Sequence, residues 1–177
     1  IWGFAELSMQ EYQSAAYYCD LLEKEGFSVQ RQVCGIPTAF SGSFGSGSPR
    51  IGILGEFDAL SGLSQKAGCT EKQSLVPGGN GQGCGHNLLG TAAAFSAIAL
   101  RHAIEKFGLG CTVKVLGSPY EEASVGKALI ARDGVYDDLD LIMDWHPWNY
   151  NRADYDKCNS VFVMKFHFHG KAAHGAY

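Results

Sequence analysis

The sequence predicts an α/β fold in which a mostly parallel sheet is flanked by helices. Two segments, 50–57 and 111–116, have the nearly continuous apolar pattern of strands that are covered on both faces. Segments with the apolar spacing of helices stand between and after them, so strands and helices alternate along the chain. With 177 residues, 46% of them hydrophobic, the chain is long enough to form a domain with its own core.

The chain begins with a predicted helix and two predicted strands. Residues 8–11 have the spacing of a capping box, in which a serine hydroxyl and a glutamate satisfy the first amides of a helix. Apolar residues follow at helical spacing, and Gly26 ends the pattern, which predicts an amphipathic helix over about 9–25. Alternating apolar residues then predict strands over 27–33 and 36–44.

The predicted strand over 50–57 ends in two acidic residues, Glu56 and Asp58. The loop 61–83 has no clear period and is rich in Gly, Ser, Gln and Pro, and irregular loops of this length inside a compact domain usually have a function. It leads into a Cys-Gly-His turn. An alanine-rich helix is predicted over 87–107, and its apolar residues cover most of its circumference, which is typical of a buried helix.

Strands and helices continue to alternate after the predicted helix over 87–107. A core strand is predicted over 111–116 and another over 139–145. Between them, Ser124 is expected to cap a short helix over 125–133.

The composition changes after Trp148, where a polar segment begins. Within residues 160–170, Lys165, His167 and His169 alternate with Phe166 and Phe168, which predicts an exposed antiparallel strand over this segment. We therefore expect a first domain over 1–157 and the start of a second, α+β domain over 158–177.

Charge and composition exclude several classes of partner. The net charge is −4 and no basic cluster occurs, so no nucleic-acid partner is expected. The longest apolar run, 88–100, is shorter than the roughly 20 residues that a membrane span requires. The first residues do not have the pattern of a signal peptide, and the six cysteines form no CxxC pair, which favours reduced thiols in the cytoplasm.

Cys84 and His86 lie one residue apart on a glycine-rich turn, directly before the predicted buried helix. Thiolate sulfur and imidazole nitrogen are both good ligands for a borderline divalent metal ion. The glycines beside them allow the backbone to fold tightly, so both side chains can converge. The start of a helix also favours the thiolate form of a neighbouring cysteine. The turn therefore predicts half of a metal site.

The other half is expected at the ends of three strands, where Asp58, Glu121, Glu122 and His146 stand. In open α/β sheets, ligands bind beyond the carboxyl ends of the strands. The complete set is sufficient for one divalent ion and nearly sufficient for two. We assign Glu122 to the metal and Glu121 to a general base, which deprotonates a water molecule whose pKa the metal lowers to ~7. The residues alone leave the order of the two glutamates open.

Five motifs, in this order, carry a resemblance to a known family: GEFDAL, GCGHNLLGTAA, SPYEE, WHP and HGKAAH. They resemble the M20 family of metallopeptidases and amidohydrolases, most of all the B subunits of p-aminobenzoyl-glutamate hydrolase, and the resemblance runs along nearly the whole chain. It implies a zinc-peptidase-like catalytic domain with two divalent ions, Mn²⁺ or Zn²⁺, followed by a lid and dimerisation domain. The metal ligands that it implies are Cys84, His86, Glu122 and His146.

The resemblance also implies roles for three further residues. Glu121 matches the general base, and Asp58 matches the aspartate that supports the site. His174 matches a lid-domain histidine that helps to bind substrate and to stabilise the oxyanion, often across a dimer. Glu56 stands where peptidase members have a metal-binding histidine, a departure that is expected of the amidohydrolase branch.

The implied reaction is hydrolysis of the amide bond of an N-acyl amino acid, most of all p-aminobenzoyl-glutamate, by a hydroxide formed at the metal. A dipeptidase, or a hydrolase of other N-acyl amino acids, is the alternative within the family. The implied assembly is a homodimer or a heteromer with a related A subunit. Family members have one more histidine ligand near the end of a longer chain, so these residues are expected to be an N-terminal fragment that is inactive alone.

Two alternative hypotheses about the function remain open. Cys84 could act as a nucleophile, with His86 or His146 as its base, as in thiol hydrolases. Alternatively, the chain could be a zinc-stabilised binding module or an inert subunit, although Glu121 would have no task in such a protein.

Overall fold

The computed structural model describes residues 1–123, 125–153, 159–162 and 164–175. The described helices and strands are, in chain order, α1 (Tyr12–Lys24), β1 (Ser28–Arg31), β2 (Phe40–Gly45), β3 (Arg50–Gly55), α2 (His86–Phe107), β4 (Thr112–Gly117), α3 (Gly126–Arg132) and β5 (Leu141–Met143). The predicted α/β class, with a sheet flanked by helices, is confirmed.

The five described strands form one sheet in the order β1-β2-β4-β3-β5. The strand β3 lies between β4 and β5 and is parallel to both, whereas β2 is antiparallel to β4 and to β1. The sheet is therefore mixed, with its parallel part on the side of β3 and β5. The connection between β1 and β2 is short, which allows neighbouring antiparallel strands, whereas β3 and β4 are joined through α2 as a parallel crossover requires.

The main core lies between the sheet and the helices α1 and α2. Its buried members are Ala15, Tyr18, Cys19, Leu22, Phe27, Phe40, Phe57, Ala94, Ala97, Ile98, Ile104, Cys111, Val113 and Val115. Val113 and Val115 alternate with Lys114, which points to the opposite face, where its ammonium donates to the carbonyl oxygen of Val135 at 3.3 Å. This burial fixes α2, and with it the turn at the start of α2, against the sheet.

The start of α1 differs from the expected capping box. The helix begins at Tyr12, and its first amides are capped by the carboxylate of Glu6, which accepts from the amides of Gln13 at 2.9 Å and Ser14 at 2.8 Å. The hydroxyl of Ser8 instead donates to Oδ2 of Asp58 at 2.7 Å. The Ser8 hydroxyl bonds to a distant carboxylate because Asp58 is buried and requires donors, while Glu6 satisfies the start of the helix in place of Ser8.

A smaller core covers the opposite face of the sheet, around α3. Its buried members are Val33, Ile36, Ala39 and Ile130. The helix α3 lies within the predicted range 125–133. The proposed cap at Ser124 lies outside the described residues.

The predicted core strand over 139–145 is only three residues long and lies at the edge of the sheet, as β5. All three of its side chains, which point to the faces of the sheet, are exposed, so the prediction of a core strand is wrong at this position. The described residues within 160–170 form no strand, since no described segment pairs with them. The proposed boundary between residues 157 and 158 lies outside the described residues and stays a prediction.

Among the described helices, none combines the length and the apolar character that crossing a lipid bilayer would demand.

Candidate metal centre

The predicted site residues converge beyond the carboxyl ends of β3, β4 and β5. Glu56 and Asp58 follow β3 directly, the Glu121-Glu122 pair follows β4, and His146 follows β5. The start of α2 lies over the same edge because the helix packs against β3 and β4. The parallel direction of the three strands brings these chemically active side chains together.

His86, the first residue of α2, stands at the middle of the group. Its side chain is completely buried. Nδ1 lies 2.9 Å from Oδ1 of Asp58, while Nε2 lies 3.1 Å from Oε2 of Glu56 and 3.7 Å from Oε2 of Glu121. Burial disfavours the charged imidazole, but the hydrogen bond to Asp58 and the charge of Glu56 outweigh it and raise the pKa of His86.

The turn before His86 depends on Gly85. This residue has a φ of 86°, in the left-handed region that favours glycine. A Cβ at this position would lie 3.0 Å from Cγ of Pro147, so the turn also packs closely against the segment that carries His146. Gly85 therefore allows the Cys84 turn and the His146 segment to approach each other.

Both carboxylate oxygens of Asp58 are engaged by protein donors. Oδ1 accepts from His86, and Oδ2 accepts from the Ser8 hydroxyl at 2.7 Å and from the amide of Glu122 at 2.9 Å. Burial opposes ionisation, but these hydrogen bonds prevail and lower the pKa of Asp58. The carboxylate therefore joins α2, the segment before α1 and the loop after β4.

Cys84 and His146 meet across the opening of the site, with Sγ 3.3 Å from Nε2. The rings of His86 and His146 are nearly perpendicular, with centroids 5.6 Å apart. One donor atom from each of the three residues lies within 4.8 Å of the others. The sulfur and the two imidazoles can therefore hold one metal ion.

The surroundings of Cys84 do not activate it as a nucleophile. Burial, followed by the negative charges of Glu122, Glu121 and Glu56, raises the pKa of the thiol to about 11. Nucleophilic cysteines have electropositive surroundings that lower the pKa of the thiol. A divalent cation among the same carboxylates would reverse this effect, because a coordinated thiol loses its proton.

The two adjacent glutamates differ in exposure. The side chain of Glu122 is 17% exposed, and its Oε1 lies 3.8 Å from Nδ1 of His86. The side chain of Glu121 is 34% exposed and faces Nε2 of the same ring. A second group of metal-competent donors consists of Glu56, His86 and Glu121, whereas Glu122 belongs to neither group. The assignment of Glu122 as ligand and Glu121 as base stays a prediction.

Glu11, the residue directly before α1, forms two hydrogen bonds that hold the backbone in front of the Glu121-Glu122 pair. Oε1 of Glu11 accepts the amide hydrogen of Tyr120 at 2.9 Å, and Oε2 accepts from the hydroxyl of Thr38 at 2.9 Å. Tyr120 has a φ of 65°, which is unusual for a residue other than glycine. The buried Glu11 thus stabilises the strained backbone directly before Glu121.

The structure adds two further residues that the motifs did not assign. Lys127, on α3, forms an ion pair with Oε1 of Glu56. Trp145 donates from its indole nitrogen to the carbonyl oxygen of Leu89 at 3.3 Å, which ties the His146 segment to α2. A buried glutamate requires a counter-charge, so the sequence signalled a partner for Glu56 without indicating which cation supplies it.

His174 lies in the exposed segment 164–175, which forms no helix or strand. Its role in substrate binding therefore stays a prediction.

Three buried atoms of the site form no hydrogen bond with a described residue: Nε2 of His86, Oε2 of Glu56 and Oε1 of Glu122. The first two are close enough to interact, but their geometry does not meet that of a hydrogen bond. Buried polar atoms without partners are costly, and a cation would satisfy nitrogen and oxygen lone pairs alike. The residues present therefore fit a divalent metal ion.

The chain is similar to known hydrolases. No protein-family model matches the chain. Over 176 residues, 99% of the chain, it is 46% identical to the B subunit of p-aminobenzoyl-glutamate hydrolase from Escherichia coli (strain K12), of which it covers 37%. It is 30% identical over 190 residues to an Xaa-Arg dipeptidase of Mus musculus, covering 99% of the chain and 39% of that protein.

The fold is also found in a solved structure. The Bacillus subtilis YXEP protein, described as a dinuclear metal-binding peptidase of the M20 family, superposes with a TM-score of 0.65. The two sequences are 24% identical, and the match covers 77% of this chain and 37% of that one. The chain spans less than half the length of these relatives, and the predicted resemblance to the hydrolase B subunits is confirmed.

Proposed function

We propose, treating the chain as a member of the M20 family of metallopeptidases and amidohydrolases, that it carries the metal-binding part of a hydrolase for N-acyl amino acids. The proposed reaction is hydrolysis of an amide bond. The first proposed substrate is p-aminobenzoyl-glutamate, because the hydrolase subunit named for it is 46% identical over almost the whole chain. The observation that carries the proposal is the meeting of Cys84, His86 and His146 within 4.8 Å.

The proposed cofactors are two divalent ions, because two groups of donors share the ring of His86. A thiolate and two imidazoles favour Zn²⁺, while the carboxylates beside them also suit Mn²⁺. We propose Cys84, His86, Glu122 and His146 as ligands. When bound, such ions lower the pKa of a water molecule and polarise the carbonyl group of the substrate.

The side chains of this protein would then transfer the proton, orient His86 and bind the substrate. Glu121 is partly exposed and faces the centre, so it can take a proton from the attacking water and return it to the leaving nitrogen. Asp58 holds the ring of His86 through Nδ1, which leaves Nε2 directed towards the carboxylates. His174 would bind the substrate from the second domain, proposed to begin at residue 158 as a lid and dimerisation domain.

The proposed assembly is a homodimer or a heteromer with a related A subunit, since the relative is itself named as one subunit of an enzyme. The proposed small-molecule partner is the substrate, an acyl-amino acid. Cys19, Cys34, Cys69, Cys84 and Cys111 are free thiols. Free thiols favour a reducing compartment, so we propose the cytoplasm.

A dipeptidase is the second candidate, because the chain is also 30% identical to an Xaa-Arg dipeptidase. The two activities differ in the group on the acyl side of the amide. Dipeptides carry a charged α-amino group there, whereas p-aminobenzoyl-glutamate has a neutral aromatic ring. A comparison of kcat/KM for both substrates decides between them.

The test uses the gene product at its natural length, with metal content measured by mass spectrometry and p-aminobenzoate release followed by chromatography. We expect bound metal, hydrolysis that stops on chelation, and loss of at least a hundredfold in kcat for Glu121→Ala. Glu105→Ala, an exposed change near the end of α2, is the matched control.

Three results would contradict the proposal. Hydrolysis that persists in Glu121→Ala, or after chelation, would refute the assigned chemistry. Inactivation by an alkylating reagent, with chelators harmless, would instead support a nucleophilic Cys84. Tightly retained metal without turnover of any acyl-amino acid would favour a binding module.

A further inference from the structure

The side chain of Glu56 is almost fully buried, 3% exposed, yet it lies beside three other carboxylates. Its neighbours around His86 are Asp58, Glu121 and Glu122. Burial raises the pKa of Glu56, and the ammonium of Lys127 opposes that effect. An ionised carboxylate in such a place requires a compensating positive charge.

The two oxygens of Glu56 have different neighbours. Oε1 forms the ion pair with Lys127, whereas Oε2 lies 3.1 Å from Nε2 of His86 and accepts no hydrogen bond from a described residue. By distance alone, Oε2 belongs to a possible metal-binding group with His86 and Glu121. Glu56 is therefore close enough to bind a cation through Oε2, because only Oε1 is engaged by Lys127.

Lys127 lies at the edge of the same group. It is the second residue of α3, and its side chain is 32% exposed. It also lines a small cavity of about 180 Å³ with Glu121. The helix α3 packs against the turn Val33–Gly35, on the side of the sheet opposite to α2, so the ammonium reaches the centre from a different direction than Cys84 and His86.

We propose that Lys127 is a positioning residue that holds Glu56 through Oε1 and prevents it from becoming a metal ligand. The ion pair holds Glu56 by Oε1 and offsets its charge, so a cation at the centre is bound by the Cys84, His86 and His146 donors. Glu121 then remains available for proton transfer. This inference rests on the proposed metal site and not on which substrate is hydrolysed.

The inference predicts how removal of the Lys127 ammonium changes metal affinity and catalysis. In Lys127→Met the site loses a positive charge and Glu56 loses its partner, so Glu56 should bind the cation as an additional ligand. The affinity for a divalent ion should rise by about tenfold, equivalent to 1.4 kcal/mol. In the active enzyme, kcat should fall at least tenfold while KM changes less than twofold, because the added ligand occupies a position that water requires.

The test titrates Co²⁺ alone into the metal-free protein and records its visible absorption, which weakens when the coordination number rises. We expect Lys127→Met to bind Co²⁺ more tightly and to absorb less. Lys127→Arg should behave like the natural protein, because it preserves the charge. Adding Glu56→Gln to Lys127→Met should reverse both changes, because the amide is a poor metal ligand.

Lys114→Met is the matched control, since Lys114 also pairs with a carboxylate, that of Asp138 at 3.3 Å, which belongs to neither group of metal-competent donors. It should leave affinity and spectrum unchanged. If Lys127→Met lowers only the melting temperature, or weakens Co²⁺ binding, the ion pair is merely structural and the inference is wrong. The titration does not depend on turnover, so an enzyme that binds Co²⁺ normally but hydrolyses no acyl-amino acid refutes the proposed function alone.

Discussion

Nδ1 of His86 lies 2.9 Å from Oδ1 of Asp58, and both side chains are fully buried. A carboxylate only accepts hydrogen bonds, so Nδ1 carries a proton, and a metal ion would be bound through Nε2. None of the described residues forms a hydrogen bond with Nε2. The contact therefore holds the ring of His86 in the orientation that the proposed metal site requires.

Asp58→Ala should lower the affinity for a divalent metal by about 10–100-fold, because the ring of His86 loses its orientation and its fixed tautomer. Competition with a chromophoric chelator measures the change. Asp138→Ala removes an exposed carboxylate that pairs with Arg50, far from the centre, and serves as the control. Equal affinities for the two variants would show that Asp58 does not support a metal site.

Cys84→Ser should lower the affinity for Zn²⁺ by roughly a hundredfold, since four ligands together supply about 10–16 kcal/mol in structural zinc sites. Competition with the chromophoric chelator measures the Zn²⁺ affinity. Cys69→Ser, in the loop before the turn, changes a half-buried thiol and should bind Zn²⁺ like the natural protein. A Cys84→Ser protein with undiminished affinity would remove the sulfur from the proposed ligands.

Gly90→Ala should destabilise the protein by about 1–3 kcal/mol, although alanine is the better helix former. A Cβ at this position would lie 2.5 Å from the carbonyl oxygen of Glu56 and 2.8 Å from the hydroxyl of Tyr18. The start of α2 would have to move away from β3, so metal affinity should also fall. Urea unfolding measures the free energy of unfolding.

Ser96→Ala is the control for this change, because Ser96 is an exposed residue of the same helix. It should leave stability unchanged or raise it by a few tenths of a kcal/mol. If Gly90→Ala were as stable as Ser96→Ala, the close packing between α2 and the end of β3 would not be required.

Glu11→Gln should show a pH-dependent difference from the natural protein. Burial raises the pKa of Glu11 above its ordinary value of 4.5, despite the hydrogen bonds from Tyr120 and Thr38. The stability that this group contributes is present in full below pH 4.5 and is lost as the pH rises through the folded-state pKa. The unfolding free energy of the natural protein, minus that of Glu11→Gln, should therefore be larger at pH 4 than at pH 7.

Urea unfolding at both pH values, with a chelator present, measures this difference. Glu23→Gln, an exposed change on α1, is the control for the loss of a glutamate from the same helix. A difference for Glu11→Gln that grows towards pH 7 would reverse the sign and contradict a raised pKa.

The elements near the centre could be predicted from sequence because their signals are local. The apolar segments around β3 and β4 and the alanine-rich helix α2 have unambiguous patterns, and α2 begins one residue before the predicted start. The meeting of Cys84 with His146 followed from parallel strands that end at one edge.

Other features depend on contacts that no local pattern contains. Alternating apolar residues reveal β1 and β2 but not their direction. The hydroxyl of Ser8 has the spacing of a cap, yet a buried carboxylate 50 residues later takes its hydrogen bond. The ion pair between Glu56 and Lys127 joins residues that are 71 positions apart, and only the packing of α3 brings them together.

Tyr120 adopts its left-handed backbone conformation at a cost of about 1–3 kcal/mol, and Glu11 holds it there. The direction in which Glu121 leaves the main chain thus depends on the residue before α1, which belongs to neither group of candidate metal donors. Shortening that one acidic side chain to aspartate would turn the carboxylate of Glu121 relative to the imidazoles and leave every candidate ligand chemically intact. The geometry of the centre can consequently be adjusted from the far end of a hydrogen bond, by a buried residue that contributes no donor atom to it.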